Sequence, residues 1–305
     1  MTAKPTIAVN VFPGGFNWPI YVGQDKGFFD NHGIAVELRG TPDSMTQMTD
    51  FSLGRFDIAM TAVDNIVAYV EGQGQAPIGP QPDFFAFMGI DSGFLSLVAS
   101  PAIENIQDLR GKIVSVDAMT TGYAFVLYDI LRRNGLERDR DYELVSAGGM
   151  TQRWNALREG RHHATLLSAP YNLIARKAGF SDLVRATDVI GPYQGNVAAA
   201  RRSWAANNVE KVVSYIRSYR DSVAWLYEPA NRSEAINILC RHLSQMSLDI
   251  AAASYSELLH PAHGFFKTCE IDPEGLKCVL ELRERYASAK RLGISSRYYD
   301  PKYSA

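Results

Sequence analysis

Polar and aromatic side chains stand where predicted strands give way to predicted helices. Asn17 and Trp18 follow the first strand, and Asp64 and Asn65 follow the third. Asn17 could donate a hydrogen bond to a small ligand and Trp18 could form an aromatic wall for it, or both could anchor their loop on the core. Asp64 could cap its helix, contact a ligand, or do both. A carboxylate here would discourage an anionic ligand unless a cation offsets it, and would mildly favour an amine or a hydroxyl group.

A second group of candidates lies in a turn that links a later strand to its helix. Thr120 and Thr121 place two hydroxyls beside the amides that open the helix, which suits an anion or a carbonyl oxygen. Capping of the helix by a threonine alone is the simpler alternative. Tyr123 would add an aromatic contact. Tyr171 and Asn172, in a later strand-to-helix turn, are weaker candidates, and Tyr193, farther along the chain, could form a side wall of the site.

No group of residues predicts a metal site, a cofactor or a catalytic nucleophile. The pair His162–His163 has no carboxylate or cysteine at a helpful spacing, so we interpret both as surface residues ahead of a strand. The three cysteines are too few and too scattered for a disulfide framework, and none forms a C-x-x-C pair. The glycine motifs of nucleotide-binding loops and the G-x-S-x-G motif are absent. We therefore expect no metal and no cofactor.

Composition excludes several classes of protein. The chain has 305 residues, of which 46% are hydrophobic and 21% charged, as in ordinary globular proteins. The net charge of −2 argues against a general nucleic-acid binder. No apolar run is long enough to predict a transmembrane helix. No signal peptide precedes the first predicted strand, so we expect a periplasmic protein only if a signal peptide preceded Met1 and was removed, and otherwise a cytoplasmic one.

Strand-like and helix-like segments alternate through the first two thirds of the chain. Predicted strands at Ile7–Val11, Ala35–Leu38 and Phe56–Met60, each followed by a helix, favour a mostly parallel sheet covered by helices. The same rhythm restarts at Lys112–Val116. After Asn196 the pattern is helical, and we expect this helical block to pack on the first β/α unit. Its last three predicted helices are Ser233–Leu243, Leu248–Leu259 and Pro273–Lys290.

Four phrases along the chain resemble substrate-binding proteins for sulfonates, taurine, nitrate and thiamine pyrimidines. Residues 10–38 resemble the first strand and helix of those proteins, including a "KGFF…GI" phrase that here reads Lys-Gly-Phe-Phe-Asp-Asn-His-Gly-Ile. Gly54–Ala59 resembles their "G-x-x-D-x-A" strand entry. Asp108–Val114 resembles the "DLKGK" phrase that starts their second lobe, and Ala156–Gly160 fits a matching phrase in that lobe.

The resemblance implies the type II periplasmic-binding-protein fold, an α/β fold of two lobes, each with a mixed, mostly parallel sheet flanked by helices. Residues 1–95 and 197–305 would form lobe 1, which includes the helical block, and residues 96–196 would form lobe 2. Ligands of such sheets lie beyond the carboxyl ends of the strands, so the cleft between the lobes would hold the ligand. The ligand contacts expected there are Asn17, Trp18, Ser44, Asp64, Asn65, Thr120, Thr121, Tyr123, Tyr171, Asn172 and Tyr193.

The function implied by the resemblance is capture of a small organic ligand for an ABC importer. The partners would be that ligand and the permease of the transporter, with no nucleic acid and no direct membrane span. Aromatic candidates such as Tyr123 favour a planar ligand, for example a pyrimidine or a benzenoid acid.

Two alternatives stay open. The same fold hosts enzymes, so the chain could be a cytosolic decarboxylase or hydrolase of a small aromatic acid that uses Asp64 as acid or base. The pyrimidine synthases of thiamine biosynthesis are disfavoured, because Thr61 and Asn65 stand where those enzymes carry a pyridoxal-phosphate lysine and a histidine. A cytosolic ligand sensor without a transporter is the other alternative.

Overall fold

Two five-stranded sheets organise the chain. The computed structural model describes residues 4–80, 82–243, 246–287 and 291–303. In chain order the strands are β1 (Thr6–Val11), β2 (Ala35–Gly40), β3 (Ile58–Ala62), β4 (Phe84–Gly89), β5 (Ser96–Ala99), β6 (Ile113–Val116), β7 (Glu143–Ser146), β8 (Ala164–Leu167), β9 (Ser181–Arg185) and β10 (Asn196–Arg201). The first sheet has the order β2-β1-β3-β10-β4, and the second has the order β7-β6-β8-β5-β9.

Helices connect these strands and form most of the remaining chain. They are α1 (Trp18–Asp25), α2 (Phe28–Asn31), α3 (Ser44–Ser52), α4 (Val63–Val70), α5 (Gly122–Arg133), α6 (Met150–Arg158), α7 (Tyr171–Lys177), α8 (Ala186–Ile190), α9 (Arg202–Ala206), α10 (Val209–Tyr227), α11 (Arg232–His242), α12 (Leu248–Leu258) and α13 (Pro273–Tyr286). The last part of the helix predicted to reach Lys290 falls on residues 288–290, which lie outside the described residues. We call the first sheet with α1–α4 the first unit, and the second sheet with α5–α8 the second unit.

Each sheet combines parallel and antiparallel pairs in the same way. β1 pairs in parallel with β2 and β3, and β6 pairs in parallel with β7 and β8. Antiparallel pairs arise where the chain crosses between the sheets, because β5 inserts between β8 and β9 and β10 inserts between β3 and β4. The first crossing segment is residues 90–95, and the second is residues 191–195. The predicted mixed α/β class is thereby confirmed.

The strands β9 and β10 were not predicted from the sequence. β9 is half-buried along its whole length and shows no alternation of apolar and polar residues. β10 reads Asn-Val-Ala-Ala-Ala-Arg, and alanine is depleted in strands. The alanines Ala198–Ala200 are nevertheless fully buried, because β10 lies in the interior of the first sheet with helices on both faces. Small side chains suit that position, and tertiary packing there overrides the weak local propensity.

The helical block contacts both units. α10 packs on α1 and α2, and α11 packs on α1, as expected for a block that covers the first unit. However, α12 contacts α7, and α13 lies against both α4 and α5. The sequence did not predict these contacts with the second unit.

A buried carboxylate fastens α13 to the second unit. The side chain of Asp129 on α5 is fully buried and accepts hydrogen bonds from Arg132, Arg133, Arg285 and Tyr286. Burial alone would raise the pKa of Asp129, but the hydrogen bonds from Tyr286 and the arginines hold it at about 2, below the usual 3.8. A carboxyl group whose pKa is lowered by folding stabilises the folded state above its unfolded pKa. That stabilisation is lost as the pH falls from about 4 to about 2.

We therefore expect Asp129→Asn to lower the free energy of unfolding at pH 7 by about 2 kcal/mol, because several guanidinium groups lose their shared charge partner. The measurement is urea unfolding, repeated from pH 7 down to pH 2.5. The difference between the wild type and Asp129→Asn should shrink below pH 4 as Asp129 becomes protonated. A difference that stays constant across this range would contradict the assignment.

Candidate functional site

Within the described residues, two glycines show that loops from the carboxyl ends of the two sheets lie in contact. Asp64 is the second residue of α4, directly after β3, and Gly122 is the first residue of α5, after β6. A Cβ on Gly122 would lie 2.5 Å from the Cβ of Asp64, so the two helix starts are in direct contact. At the second contact, a Cβ on Gly15 would lie 3.2 Å from the carbonyl oxygen of Ala169. The candidate site is the region between these two contacts, where strand ends from both units converge.

Asp64 forms a buried ion pair with Arg283 of α13. The Nε and Nη2 atoms of Arg283 donate to the two carboxylate oxygens at 2.6 and 2.5 Å, and both side chains are 1% exposed. Arg283 also donates to Gln73 at 2.8 Å and to the carbonyl oxygen of Thr120 at 3.2 Å. This cation neutralises Asp64, so the carboxylate no longer argues against an anionic ligand.

The two threonines of the β6–α5 turn have different roles. Thr121 caps α5, since its hydroxyl accepts from the amide of Ala124 at 3.3 Å and donates to Asp117 at 2.7 Å. Thr120 is exposed, and its hydroxyl accepts a hydrogen bond from Gln75 at 2.8 Å. The capping alternative therefore describes Thr121, whereas Thr120 links the second unit to a loop of the first.

Tyr123 and Tyr193 form an aromatic pair beside the Asp64–Arg283 ion pair. Their ring centroids lie 6.4 Å apart. Tyr193 is 2% exposed, and its hydroxyl has no hydrogen-bond partner in the described part of the chain. Burial raises the pKa of both phenols well above the usual value, and the charge of Asp64 adds to the effect. Both hydroxyls therefore stay protonated at neutral pH and can donate a hydrogen bond to an acceptor.

Asn17 and Trp18 lie inside the core of the first unit. Trp18 is fully buried, and its indole nitrogen donates to the carbonyl oxygen of Ala235 on α11 at 3.1 Å. Its edge packs against Tyr255. Asn17 is also fully buried and donates to the carbonyl oxygen of Phe12 at 2.6 Å, while its own Oδ1 has no partner among the described residues. These contacts favour the anchoring alternative for Trp18, and they leave one polar atom of Asn17 available.

Asn172 and Tyr171 lie at the start of α7 in the second unit. Asn172 is fully buried and donates to Glu257 of α12 at 2.6 Å, whereas its Oδ1 is unpartnered within the described residues. The hydroxyl of Tyr171 lies 2.6 Å from that of Thr151 on α6. These two candidates thus hold α7 against its neighbours.

Ser44 and Asn65 lie at helix starts of the first unit. Ser44 is the first residue of α3, but the cap of that helix is Asp43, whose carboxylate accepts from the amide of Thr46 at 2.8 Å. Asn65 donates from its side chain to the hydroxyl of Thr61 at 2.9 Å. Both residues are half-buried and lie at the carboxyl edge of the first sheet.

Sequence reasoning missed two side chains that reach across the carboxyl edges of the sheets. Gln47 of α3 is fully buried and donates to Asn10 of β1 and to the carbonyl oxygen of Met60 in β3. Arg153 of α6 is 3% exposed and donates to the carbonyl oxygen of Leu166 in β8. Neither residue belongs to a known motif. The one signal available in the sequence is that each is a polar or charged residue in the first turn of a predicted helix that follows a strand.

A third missed residue is Asp91, around which the two crossing segments meet. Its carboxylate accepts from the amide of Gly93 at 2.7 Å and from the amide and side chain of Asn196 at 3.0 and 2.9 Å. A Cβ on Gly195 would lie 2.1 Å from the nitrogen of Gly93, so only glycine allows the two backbones to cross this closely. Burial raises the pKa of Asp91, and these hydrogen bonds oppose that rise. The two crossing segments are thus held side by side at Asp91, where the amide of Gly195 donates to the carbonyl oxygen of Asp91 at 2.8 Å.

The histidine pair differs from its prediction as surface residues. His162 is 2% exposed, and its Nε2 lies 3.2 Å from the hydroxyl of Ser115 in β6. Burial lowers the pKa of His162 to about 4, so the imidazole is neutral. His163 accepts from the amide of Ile113. The prediction is therefore wrong for His162, which is buried, whereas His163 is half-buried.

Within the described ranges, no three histidine, cysteine or acidic side chains come close enough together to hold a metal ion. No helix in the same ranges is long and apolar enough to cross a membrane.

Comparison with known proteins assigns the chain to a family. The sequence profile of the NMT1-like family matches residues 2–240. The chain belongs to the NMT1-like family. Among curated proteins, "Putative binding protein YtlA" of Bacillus subtilis (strain 168) is 24% identical over 217 residues, which cover 69% of this chain. The match spans only 63% of the length of that relative.

Solved structures share the fold of this NMT1-like protein. The ligand-binding component of an ABC-type import system from Staphylococcus aureus, solved with zinc bound, is 14% identical and has a TM-score of 0.79, covering 99% of this chain and 98% of that one. The alkanesulfonate-binding protein SsuA from Xanthomonas axonopodis pv. citri, bound to MOPS, is 12% identical with a TM-score of 0.76, covering 98% and 100%. At such identities the likeness shows the fold, which is the predicted periplasmic-binding-protein fold.

Removal of Arg283 tests the central ion pair. We expect Arg283→Met to lower the free energy of unfolding at pH 7 by about 3–5 kcal/mol, because it leaves a buried carboxylate without its cation. In the double variant Asp64→Asn/Arg283→Met the loss should be smaller than in Arg283→Met, which a double-mutant cycle by urea unfolding measures.

The matched control is Lys4→Met, which removes an ion pair between two exposed side chains, Lys4 and Asp30. Its effect should stay below about 1 kcal/mol. A loss for Arg283→Met no larger than that of the control would contradict a buried, closely paired Asp64.

Proposed function

We propose that this protein is a solute-binding protein that captures a small molecule by closing its two units around it. The observation that carries the proposal is the pairing of the two crossing segments around Asp91, which would serve as the hinge. Loops from the carboxyl ends of both sheets meet beside it, since the amide of Val63 at the start of α4 donates to the carbonyl oxygen of Gly195 at 2.9 Å. Two rigid units joined by two short segments move relative to each other about those segments. In the proposed division, lobe 1 comprises residues 1–95 and 197–305, and lobe 2 comprises residues 96–196.

The comparisons support this role and the proposed partner. One protein with this fold is described as the ligand-binding component of an ABC-type import system, and another as an alkanesulfonate-binding protein. By extension, the partners of this chain would be its ligand and the permease of an ABC importer, and its location would be the periplasm.

The ligand we propose is a small, planar organic molecule. Tyr123 is half-buried, and the buried Tyr193 beside it adds a hydroxyl that has no partner in the described part of the chain; both phenols are protonated. Rings of this kind stack on planar ligands such as pyrimidines or benzenoid acids. The enzyme alternative assigned acid–base chemistry to Asp64, but both oxygens of that carboxylate are occupied by Arg283.

Gly122→Ala tests closure of the units. The added Cβ would lie 2.5 Å from the Cβ of Asp64, far inside the roughly 3.5–4.0 Å of a normal carbon contact, so we expect the units to be held apart. Small-angle X-ray scattering should show a larger radius of gyration than for the wild type. Alanine is also a better helix former than glycine, so a loss of local helix is not expected.

Gly79→Ala is the matched control, because an added Cβ there meets nothing within 4 Å. The control should scatter like the wild type. If Gly122→Ala also keeps the radius of gyration of the wild type, the two helix starts do not meet in solution and the closure proposal fails.

A ligand screen separates binding from catalysis. We expect thermal-shift hits among pyrimidines and aromatic acids, and mass spectrometry after incubation should recover each hit unchanged. Recovery of a product with a different mass would instead show an enzyme, and the mass difference would identify the reaction. Gly122→Ala should lose the thermal shift given by any true ligand of the site.

A further inference from the structure

The guanidinium of Arg153 lies at the carboxyl edge of the second sheet. Its Nε donates to the carbonyl oxygen of Gly148 in the β7–α6 turn at 3.1 Å, and its Nη1 donates to the carbonyl oxygen of Leu166 in β8 at 2.6 Å. β6 lies between β7 and β8, so the group spans the end of the middle strand. Strands that leave in opposite directions from a central one create the crevice where α/β sheets bind ligands.

Arg153 is a buried cation without an ion-pair partner. It is 3% exposed, and the described residues place no carboxylate within 4.0 Å of its guanidinium. Its Nη2 has no protein acceptor in the same part of the chain. Burial lowers the pKa of the guanidinium, with Asp117 and Tyr123 opposing this effect from a longer distance. Buried charges are normally paired, so a partner is missing from this one.

Arg153 attaches α6 to β8 by a hydrogen bond, and the first unit shows that such an attachment needs no charge. Gln47 is the fourth residue of α3 and donates to the carbonyl oxygen of Met60, the third residue of β3. Arg153 is the fourth residue of α6 and donates to the carbonyl oxygen of Leu166, the third residue of β8. The two side chains are equivalent by position, and a neutral amide suffices in the first unit. The charge of Arg153 therefore serves something other than the attachment of its helix.

In the described part of the chain, the negative charge that acts most on Arg153 is that of Asp117, and it lies beyond ion-pair distance. The carboxylate of Asp117 is held by the hydroxyl of Thr121, and the imidazole of His162 is neutral. Asp64 is neutralised by Arg283. The phenol of Tyr123, whose pKa is lowered by the charge of Arg153 but raised overall by burial, is protonated and offers a further donor on the same side.

We propose that the ligand of the cleft carries an acidic group, a carboxylate, sulfonate or phosphate, and that this group binds the free Nη2 of Arg153. The inference rests on the proposed function, since it names the ligand class for the same site. A charge-assisted hydrogen bond is about twice as strong as a neutral one, so this contact selects the acid over its neutral amide.

Arg153→Gln tests the inference, because it places in the second unit the side chain that does the same structural task in the first. The matched control is Arg158→Gln, which removes an exposed arginine from the same helix. The probe is a deproteinised bacterial extract supplemented with benzoate and benzamide, nicotinate and nicotinamide, and benzenesulfonate and benzenesulfonamide. Each protein is incubated with this mixture and washed, and the retained small molecules are identified by mass spectrometry.

We expect the wild type and Arg158→Gln to retain a compound with an acidic group, and Arg153→Gln to retain at least tenfold less of it at an unchanged melting temperature. Retention of a compound without an acidic group, or equal retention of the acid by Arg153→Gln, would overturn the inference while leaving solute capture intact. If none of the three proteins retains a compound, solute capture itself is contradicted, and the inference falls with it. A drop in melting temperature of Arg153→Gln by more than about 5 °C would show that Arg153 has a structural role that Gln47 does not share, which also overturns the argument.

Discussion

The buried ion pair between Asp64 and Arg283 is the contact on which the arrangement of the two units depends. It joins α4 of the first unit to α13, and through the carbonyl oxygen of Thr120 it reaches the second unit. Removing two charges from water costs several kcal/mol for each ion, and the pair offsets this only with good geometry and further hydrogen bonds. Here both carboxylate oxygens are bound, and Gln73 accepts from a third nitrogen of the guanidinium. Such a pair adds little net stability but strongly disfavours any packing that would leave either charge alone.

Chain crossing imposes the second constraint. Each sheet receives one antiparallel strand from beyond a crossing segment, so neither sheet is complete until the chain has passed to the other unit and back. The two passes meet at Asp91, and the loop before α13 covers them, since the amide of Asp272 donates to Gln194 and that of Phe266 donates to the carbonyl oxygen of Ile90. The loop before α13 is therefore hydrogen-bonded directly to both crossing segments. A change of angle between the units has to be accommodated by α13, which contacts both.

The fold could be predicted from the sequence because its signals are local. Strand runs and helix caps recur in β-α-β order, and four ordered phrases resembled a known family. The site could be predicted only in part, for a physical reason. The role of Thr121 as a helix cap could be predicted, because the amide that it caps lies three residues away. The partner of Asp64 could not be predicted, because Arg283 lies 219 positions away in the sequence. Trp18 illustrates the opposite error: an aromatic residue after a strand resembles a ligand wall, and only the carbonyl oxygen of Ala235 shows that its indole nitrogen is already engaged in the core.

The two units also correspond residue by residue in a way that the sequence concealed. In both, a side chain from the first turn of the second helix reaches the carbonyl oxygen of the third strand, through Gln47 in one unit and Arg153 in the other. Glutamine and arginine share no sequence signal, but both can donate a hydrogen bond across the same gap. Where two equivalent positions share a structural task and differ in charge, the task explains the shared hydrogen bond and leaves the charge unexplained. The extra charge lies at the carboxyl edge of the second sheet, near Asp117 and Tyr123, where a ligand of that sheet would bind.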